Sequence, residues 1–196
     1  GSWRTLKPVY VDRLPPCNTK CPAGEQCQAW LFHAQSGNYE NAWKQIIEDN
    51  PFPAVMGRVC YHTCQGACNR NGIDEPVGIN AVERFLGDYA LEKGWQLPVP
   101  AADTGKRILI VGAGPAGLSA AYQLRRLGHA VHVVESAEAA GGMMRYGIPK
   151  YRLPREVLDQ EIARIAALGV EFEFGREVKD LNAEMKSAGY DAAFLG

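Results

Sequence analysis

The stretch Arg107-Ile108-Leu109-Ile110-Val111-Gly112-Ala113-Gly114-Pro115-Ala116-Gly117-Leu118 decides the fold. The apolar, mostly β-branched run after Arg107 reads as a buried strand of a parallel sheet. Gly-x-Gly-x-x-Gly follows at once, and an Ala/Leu-rich helical pattern runs from Pro115 to about Leu127. Gly112 permits the tight turn, Gly114 lets backbone approach a pyrophosphate, and Gly117 lets helix pack on strand. Pro115 and Ala116 open the helix, where a first-turn proline loses no needed hydrogen bond. The free N–H groups there favour phosphates. Ala130-Val131-His132-Val133-Val134 predicts the second strand, and Glu135, with Ser136 behind it, ends that strand where such folds hold a ribose hydroxyl.

Five residues after Glu135 comes Gly141-Gly142, then Met143-Met144-Arg145-Tyr146-Gly147-Ile148-Pro149. A second glycine pair lets backbone pass close to a long cofactor. Glu-x5-Gly-Gly behind this fingerprint resembles the FAD domain of two-dinucleotide flavoprotein reductases. The other reading of the pair is a plain flexible loop.

The net charge of −1 gives no argument for nucleic acid or an anionic membrane as partner, and 46% hydrophobic residues supply a core with ease. No apolar run approaches a membrane span and no signal peptide opens the chain, so the expected location is cytoplasmic. Gly1-Ser2 is set aside from fold reasoning as a cloning scar. All six cysteines lie before residue 69, next to a cofactor fold rather than in a small secreted scaffold, and so read as metal ligands.

Residues 3–16 are irregular. An apolar face of Cys27, Trp30, Leu31 and Ala34 predicts a helix from Ala23 to Gln35, stopped by Gly37. Asn38 begins a second, with Ala42, Trp43, Ile46 and Ile47 on its face, and Asn50-Pro51-Phe52-Pro53 breaks it. A third runs from about Val77 to Lys93. The expected boundary falls between a helical domain, 3–101, and a Rossmann-like domain, 102–196. Further on, a helix is expected from Arg155 to Leu168, a strand from Val170 to Phe174, a short helix from Leu181 to Ala188, and a buried strand from Tyr190 to Gly196. A buried strand at that point reads as the opening of something longer. The fold class is α plus α/β: a helical domain followed by the first part of a Rossmann-like one.

Cys17-x3-Cys21-Pro22 and Cys60-x3-Cys64-x3-Cys68 group five thiols with a proline after one of them, a pattern closer to iron–sulfur ligation than to a zinc finger. Structural zinc is the alternative. Glu83 stands inside the apolar stripe Ile79, Val82, Leu86, Ala90. A carboxylate buried there needs a cation, either cluster iron or the guanidinium of Arg58 or Arg84, unless it reaches water at the stripe's edge. His62 reads as an exposed or capping residue, with ligation the other option.

Residues 15–90 resemble the N-terminal iron–sulfur domain of the glutamate synthase small subunit family, shared with dihydropyrimidine dehydrogenase, the large subunit of ferredoxin:NADP transhydrogenase and sulfur-metabolism oxidoreductases. The wording that carries this is Cys17-x3-Cys21-Pro22, Asn50-Pro51-Phe52-Pro53, Gly57-Arg58-Val59-Cys60, Cys64, Cys68 and Val82-Glu83-Arg84-Phe85, with Gly147-Ile148-Pro149-x-Tyr151-Arg152-Leu153-Pro154 in the FAD stretch. The resemblance implies a [4Fe–4S] cluster on Cys21, Cys60, Cys64 and Glu83. It places Cys17 and Cys68 on a second cluster that would need two cysteines further upstream. Residues 9–14, Val-Tyr-Val-Asp-Arg-Leu, hold none, so that cluster is either lost or completed by Cys27 and an oxygen ligand such as Asp12. Cys27 also reads simply as a small core residue. FAD would be held by Gly112, Ala113, Gly114, Pro115, Ala116, Gly117, Glu135, Ser136, Gly142, Met143, Gly147, Arg152 and Val178. The implied function is electron transfer between NAD(P)H, FAD and cluster, with a partner oxidoreductase subunit or ferredoxin-like acceptor, and with no residue acting as nucleophile or general base. The NAD(P)H site is expected beyond residue 196, so this chain alone is expected not to oxidise NAD(P)H. An NAD-binding dehydrogenase half with structural zinc, and a non-enzymatic docking module, are the competing readings.

Overall fold

The computed structural model describes residues 4–7, 9 and 13–196; Gly1, Ser2 and Asp12 lie outside them. Among the described residues six α-helices come first, α1 (Pro16–Lys20), α2 (Cys27–Gln35), α3 (Tyr39–Ile46), α4 (Pro53–Val59), α5 (Thr63–Gly66) and α6 (Ile79–Glu92), with a short 3₁₀ turn, Asn69–Gly72, before the last. An α/β layer follows, with β1 (Arg107–Val111), α7 (Pro115–Arg126), β2 (Ala130–Val134), α8 (Met143–Tyr146), α9 (Arg155–Ala166), β3 (Glu171–Glu173), α10 (Leu181–Ala188) and β4 (Ala192–Leu195).

The four strands are parallel in the order β3-β2-β1-β4, with Ile110 opposite Val133 on one side and Phe194 on the other. Helical crossovers are what parallel strands require. The expectation of a buried last strand is corrected. β4 sits at the sheet edge and all four of its residues are exposed. The first expected helix also starts later, at Cys27, because Ala23–Gln26 instead turn through Gly24 (φ 76°) and carry Glu25 inward.

In the helical layer α4 and α6 cross with their backbones touching. A Cβ on Gly57 would lie 2.4 Å from Arg84 Cα, and one on Gly87 would lie 2.3 Å from Ala54 N. No larger residue fits this crossing. It brings the C-terminus of α4, at Cys60, beside Glu83 on α6.

The two layers share one core. Trp43, Ile47, Phe52, Val55 and Ala90 pack into the same cluster as Leu118, Ala121, Tyr122, Leu158 and Ile165. Buried hydrogen bonds cross the seam. Glu161 of α9, 1% exposed, accepts from the backbone N–H groups of Ala54 (2.9 Å) and Val55 (3.0 Å) at the start of α4. These are donors that a helix N-terminus leaves unpaired. Arg164 donates to Ala90 O, and the Tyr122 hydroxyl to Ile47 O at 2.7 Å.

Candidate functional site

A cavity of about 270 Å³ opens in the helical layer, lined by Cys21, Cys60, Cys64 and Glu83 together with Glu25, Cys27 and Asn50. Each comes from a different local device. Cys21 caps α1 and Cys60 caps α4, so both sulfurs sit where a helix has stopped. Cys64 lies on α5, which packs against α1, and Thr63 donates to Lys20 O at 2.8 Å. Glu83 arrives through the α4–α6 crossing. All six cysteines are free thiols.

The electrostatics are those of crowded, buried acids. Burial first, then the charges of Glu25, Cys21 and Cys64, push Glu83 up to about 9. Burial and the Cys21 charge push Glu25 up to about 7, against hydrogen bonds from Asn50 and Trp30. Hydrogen bonds from the Cys27 thiol hold Cys21 down to about 6 and Cys64 down to about 7, whereas burial raises Cys60 and Cys17. Neither arginine considered for Glu83 pairs with it. Arg58 forms a two-pronged pair with Asp88 (2.7 and 3.0 Å) and Arg84 also turns to Asp88, at 3.7 Å. Among the described residues no lysine or arginine lines the cavity. Four thiols (Cys21, Cys27, Cys60, Cys64) and two carboxylates (Glu25, Glu83) with no cation among the lining residues are a donor set suited to iron.

Cys27 contributes to this cavity rather than to a second one. Its sulfur, the Cys21 sulfur and a Glu25 oxygen all lie within 4.8 Å of one another. Cys17 and Cys68 lie outside the cavity lining, half-buried, with Cys17 within electrostatic reach of Cys68 and Cys64. His62 is exposed. At φ 58° it caps α5, and its backbone N–H points at Cys60 Sγ (3.4 Å).

The glycine fingerprint builds a groove of about 340 Å³ lined by Gly112, Gly114, Glu135, Ser136, Gly142 and Val178. Gly117 is there for packing, since its Cβ would meet Gly112 O at 2.0 Å. Gly114 faces open space, with nothing within 4 Å of an added Cβ. Gly142 backs onto it, where an added Cβ would lie 2.8 Å from Gly114 Cα, and Gly141 N–H donates to Ala113 O, so the second glycine pair is docked on the first loop. Pro115 and Ala116 start α7 at the same place. Glu135 accepts from Ala113 N–H (2.7 Å) and from Ala137 N–H (2.8 Å). Burial raises its pKa, but these donors and the Ser136 hydroxyl outweigh it and hold the carboxylate below its ordinary range. Oε1 takes both Ala137 N–H and the Ser136 hydroxyl, whereas Oε2, with the single donor Ala113 N–H, keeps a lone pair to spare. Met143, Gly147 and Arg152 lie on the segment after the glycine pair, outside the groove lining, and all three are exposed.

Sequence reasoning did not single out Glu25 or Asn50 for the cavity, nor Trp30 as the donor behind Glu25, nor Arg176 and Glu177 for the groove. The signal for Glu25 was local. An acid between a cluster-type cysteine and an apolar helix has no solvent-facing reason to be there.

Residues 12–95 match the family model described as dihydropyrimidine dehydrogenase domain II, 4Fe-4S cluster, and residues 110–164 match an NAD(P)-binding Rossmann-like domain. The chain is 37% identical to the NADP(+)-dependent formate dehydrogenase subunit beta of Moorella thermoacetica, over 97% of this chain and 30% of that one. It is 40% identical to the NAD-dependent dihydropyrimidine dehydrogenase subunit PreT of Salmonella typhimurium, over 83% of this chain and 40% of that one. It is 36% identical to the glutamate synthase [NADPH] small chain of Bacillus subtilis, over 89% of this chain and 36% of that one. It therefore spans less than half the length of these relatives. Among the described residues no helix is long and apolar enough to cross a membrane. The chain is a homologue of the glutamate synthase small subunit and PreT oxidoreductases, joining a 4Fe-4S domain to an NAD(P)-binding Rossmann-like domain.

Proposed function

We propose that this chain is the cluster-and-flavin part of an electron-transfer oxidoreductase. The observation that carries the reading is convergence: Cys21, Cys60, Cys64 and Glu83, from four separate segments, line one cavity that holds no cationic side chain among the described residues. A [4Fe–4S] cluster held there would supply one-electron chemistry, and FAD held in the groove would supply the exchange between two-electron and one-electron steps. The chain's own part is to bind and orient. Cys21, Cys60, Cys64 and Glu83 would hold the cluster, while Cys17 and Cys68 lie outside that cavity's lining, at the positions assigned to a second cluster that is either lost or completed by Cys27 and an oxygen ligand such as Asp12, which lies outside the described residues. Gly112, Ala113, Gly114, Pro115, Ala116 and Gly117 offer backbone N–H groups to a pyrophosphate, and Glu135 accepts from a ribose hydroxyl. Ser136, Gly142, Val178, Met143, Gly147 and Arg152 complete the flavin assignment. The domains we assign are 3–101 and 102–196.

At the level of the larger protein, the donor is NAD(P)H and the acceptor a partner oxidoreductase subunit or ferredoxin-like protein. The matched relatives named as subunits or small chains support a partner. Six unpaired thiols fit the reducing cytoplasm.

The test is anaerobic purification of the chain, followed by iron and sulfide assay and titration with FAD and with NAD(P). The expected result is about four irons and four sulfides per chain, weak FAD binding, and no NADPH oxidation by the chain alone. Absence of both iron and sulfide overturns the cluster. A bound metal without sulfide favours the single-ion reading that the close set Cys21, Glu25 and Cys27 supports. Tight NAD(P) binding with no FAD affinity favours a nicotinamide in the groove, the reading supported by the matched family's description.

A further inference from the structure

Two buried carboxylates, not one, face the cysteine cavity. Glu25 is 4% exposed and Glu83 6%, and both lie on the lining with no cation beside them among the described residues. With Cys21, Cys60 and Cys64 as thiolate ligands and the Cys27 thiol donating to Cys21 and Cys64, a [4Fe–4S] cluster takes one further ligand, and the two acids are its oxygen candidates. Their hydrogen bonds are unequal. Glu25 has both oxygens engaged, Oε2 accepting from Trp30 Nε1 (3.2 Å) and Oε1 from Asn50 Nδ2 (2.8 Å). Glu83 is held at Oε1 alone, by the same Asn50 Nδ2 at 3.1 Å, among the bonds of the described residues. Asn50 is itself fixed, because its Oδ1 accepts from Phe52 N–H at 2.9 Å in the turn that opens α4. One amide nitrogen, anchored to the backbone, therefore ties both acids.

We propose that Asn50 is the positioning residue of the oxygen ligand. By bridging the two carboxylates it completes a donor on each Glu25 oxygen, and leaves Glu83 Oε2 as the one oxygen of the pair with no donor among the described residues, the oxygen that would bind iron. This rests on the cluster reading above. The role explains why an asparagine stands there. Its Oδ1 must accept from Phe52 while its nitrogen donates twice, which aspartate, serine and leucine cannot do at once. It also gives the Asn-Pro-Phe-Pro stretch a task beyond ending a helix.

The experiment uses the whole chain purified anaerobically, with three readouts: iron and sulfide per chain, the EPR spectrum of the reduced cluster, and its midpoint potential. The variants are Asn50→Asp, Asn50→Ala, Glu83→Gln, Glu25→Gln and the double variant Asn50→Ala/Glu83→Gln. Asn50→Asp keeps the acceptor for Phe52, so the turn survives while the bridging donor is lost, and it serves where Asn50→Ala fails to fold. The expected result is that Asn50→Asp and Asn50→Ala retain the wild-type iron count but change the EPR line shape and shift the midpoint. Glu83→Gln is expected to do the same, the double variant to add nothing to Glu83→Gln, and Glu25→Gln to keep the wild-type spectrum. Two outcomes overturn the assignment with the cluster intact: Asn50 variants with a wild-type spectrum and potential, or a spectrum that changes in Glu25→Gln and not in Glu83→Gln. A wild-type chain without iron and sulfide overturns the underlying reading instead, and this inference with it.

Discussion

The cavity and the groove are built on opposite plans. The cavity is made of side chains from distant segments: Cys21, Asn50, Cys60, Cys64 and Glu83 meet only because α1 packs on α5 and α4 crosses α6. The groove is made of backbone from adjacent loops. Its one charged side chain from the strand-ending turn, Glu135, spends itself on backbone N–H groups. A side-chain site stores its chemistry in residue type and depends on the whole fold for position. A backbone site stores it in the absence of side chains. The first should lose function to near-isosteric changes that leave folding alone, and the second to single methyl groups that damage folding first.

Cys64→Ser gives the largest effect. The exchange is nearly isosteric, yet iron per chain should fall from about four to below one, with a cooperative unfolding transition retained. Iron at the wild-type level would break the comparison. Gly117→Ala comes next. Its methyl group would sit 2.0 Å from Gly112 O, so α7 must move off β1, at a cost of about 3 kcal/mol by urea unfolding. A change below about 0.5 kcal/mol would mean that the groove tolerates side chains after all.

Glu161→Gln probes the seam between the two plans. It leaves one of the Ala54 and Val55 N–H groups without its acceptor, costing about 1–2 kcal/mol at pH 5. The cost should shrink at higher pH. Burial raises the Glu161 pKa from 4.5 to about 8, so across that window the folded state keeps a proton that the unfolded chain has released. Wild-type stability therefore falls as pH rises through it, and the glutamine variant lacks this slope. Urea midpoints at pH 5 and pH 9 for both proteins check the sign. Arg152→Ala is the smallest. The side chain is exposed and makes no hydrogen bond or ion pair among the described residues, so the unfolding midpoint should not move. FAD affinity should drop about tenfold, worth ~1.4 kcal/mol. Unchanged affinity would remove Arg152 from the flavin assignment.

The same contrast explains what could be read in advance. The strand–glycine–helix–strand–acid series is contiguous, and β1, α7 and β2 fall within a residue of their expected bounds. Cysteine spacing marked a metal site for the same reason. The Asn50 bridge joins positions 25 and 33 residues apart, and the Glu161 clamp positions 107 apart. Periodicity carries no such information. The short helices α5 and α8, four residues each, are fixed by what they pack against rather than by a repeat. β4 is expected to be buried because Ala192–Leu195 are apolar; in this chain its four residues are exposed and it pairs with β1.

The shared core makes the link between the layers something other than a joint. Trp43, Ile47, Phe52 and Val55 would lose the α/β-layer members of their cluster, such as Leu118, Tyr122 and Ile165, if the layers parted. A protease cut in the stretch between Leu97 and Lys106 should therefore leave the two pieces clinging together through a gel-filtration column. Swapping either layer for a foreign one would demand re-cutting the mating face as well. The two halves are heritable as a single casting.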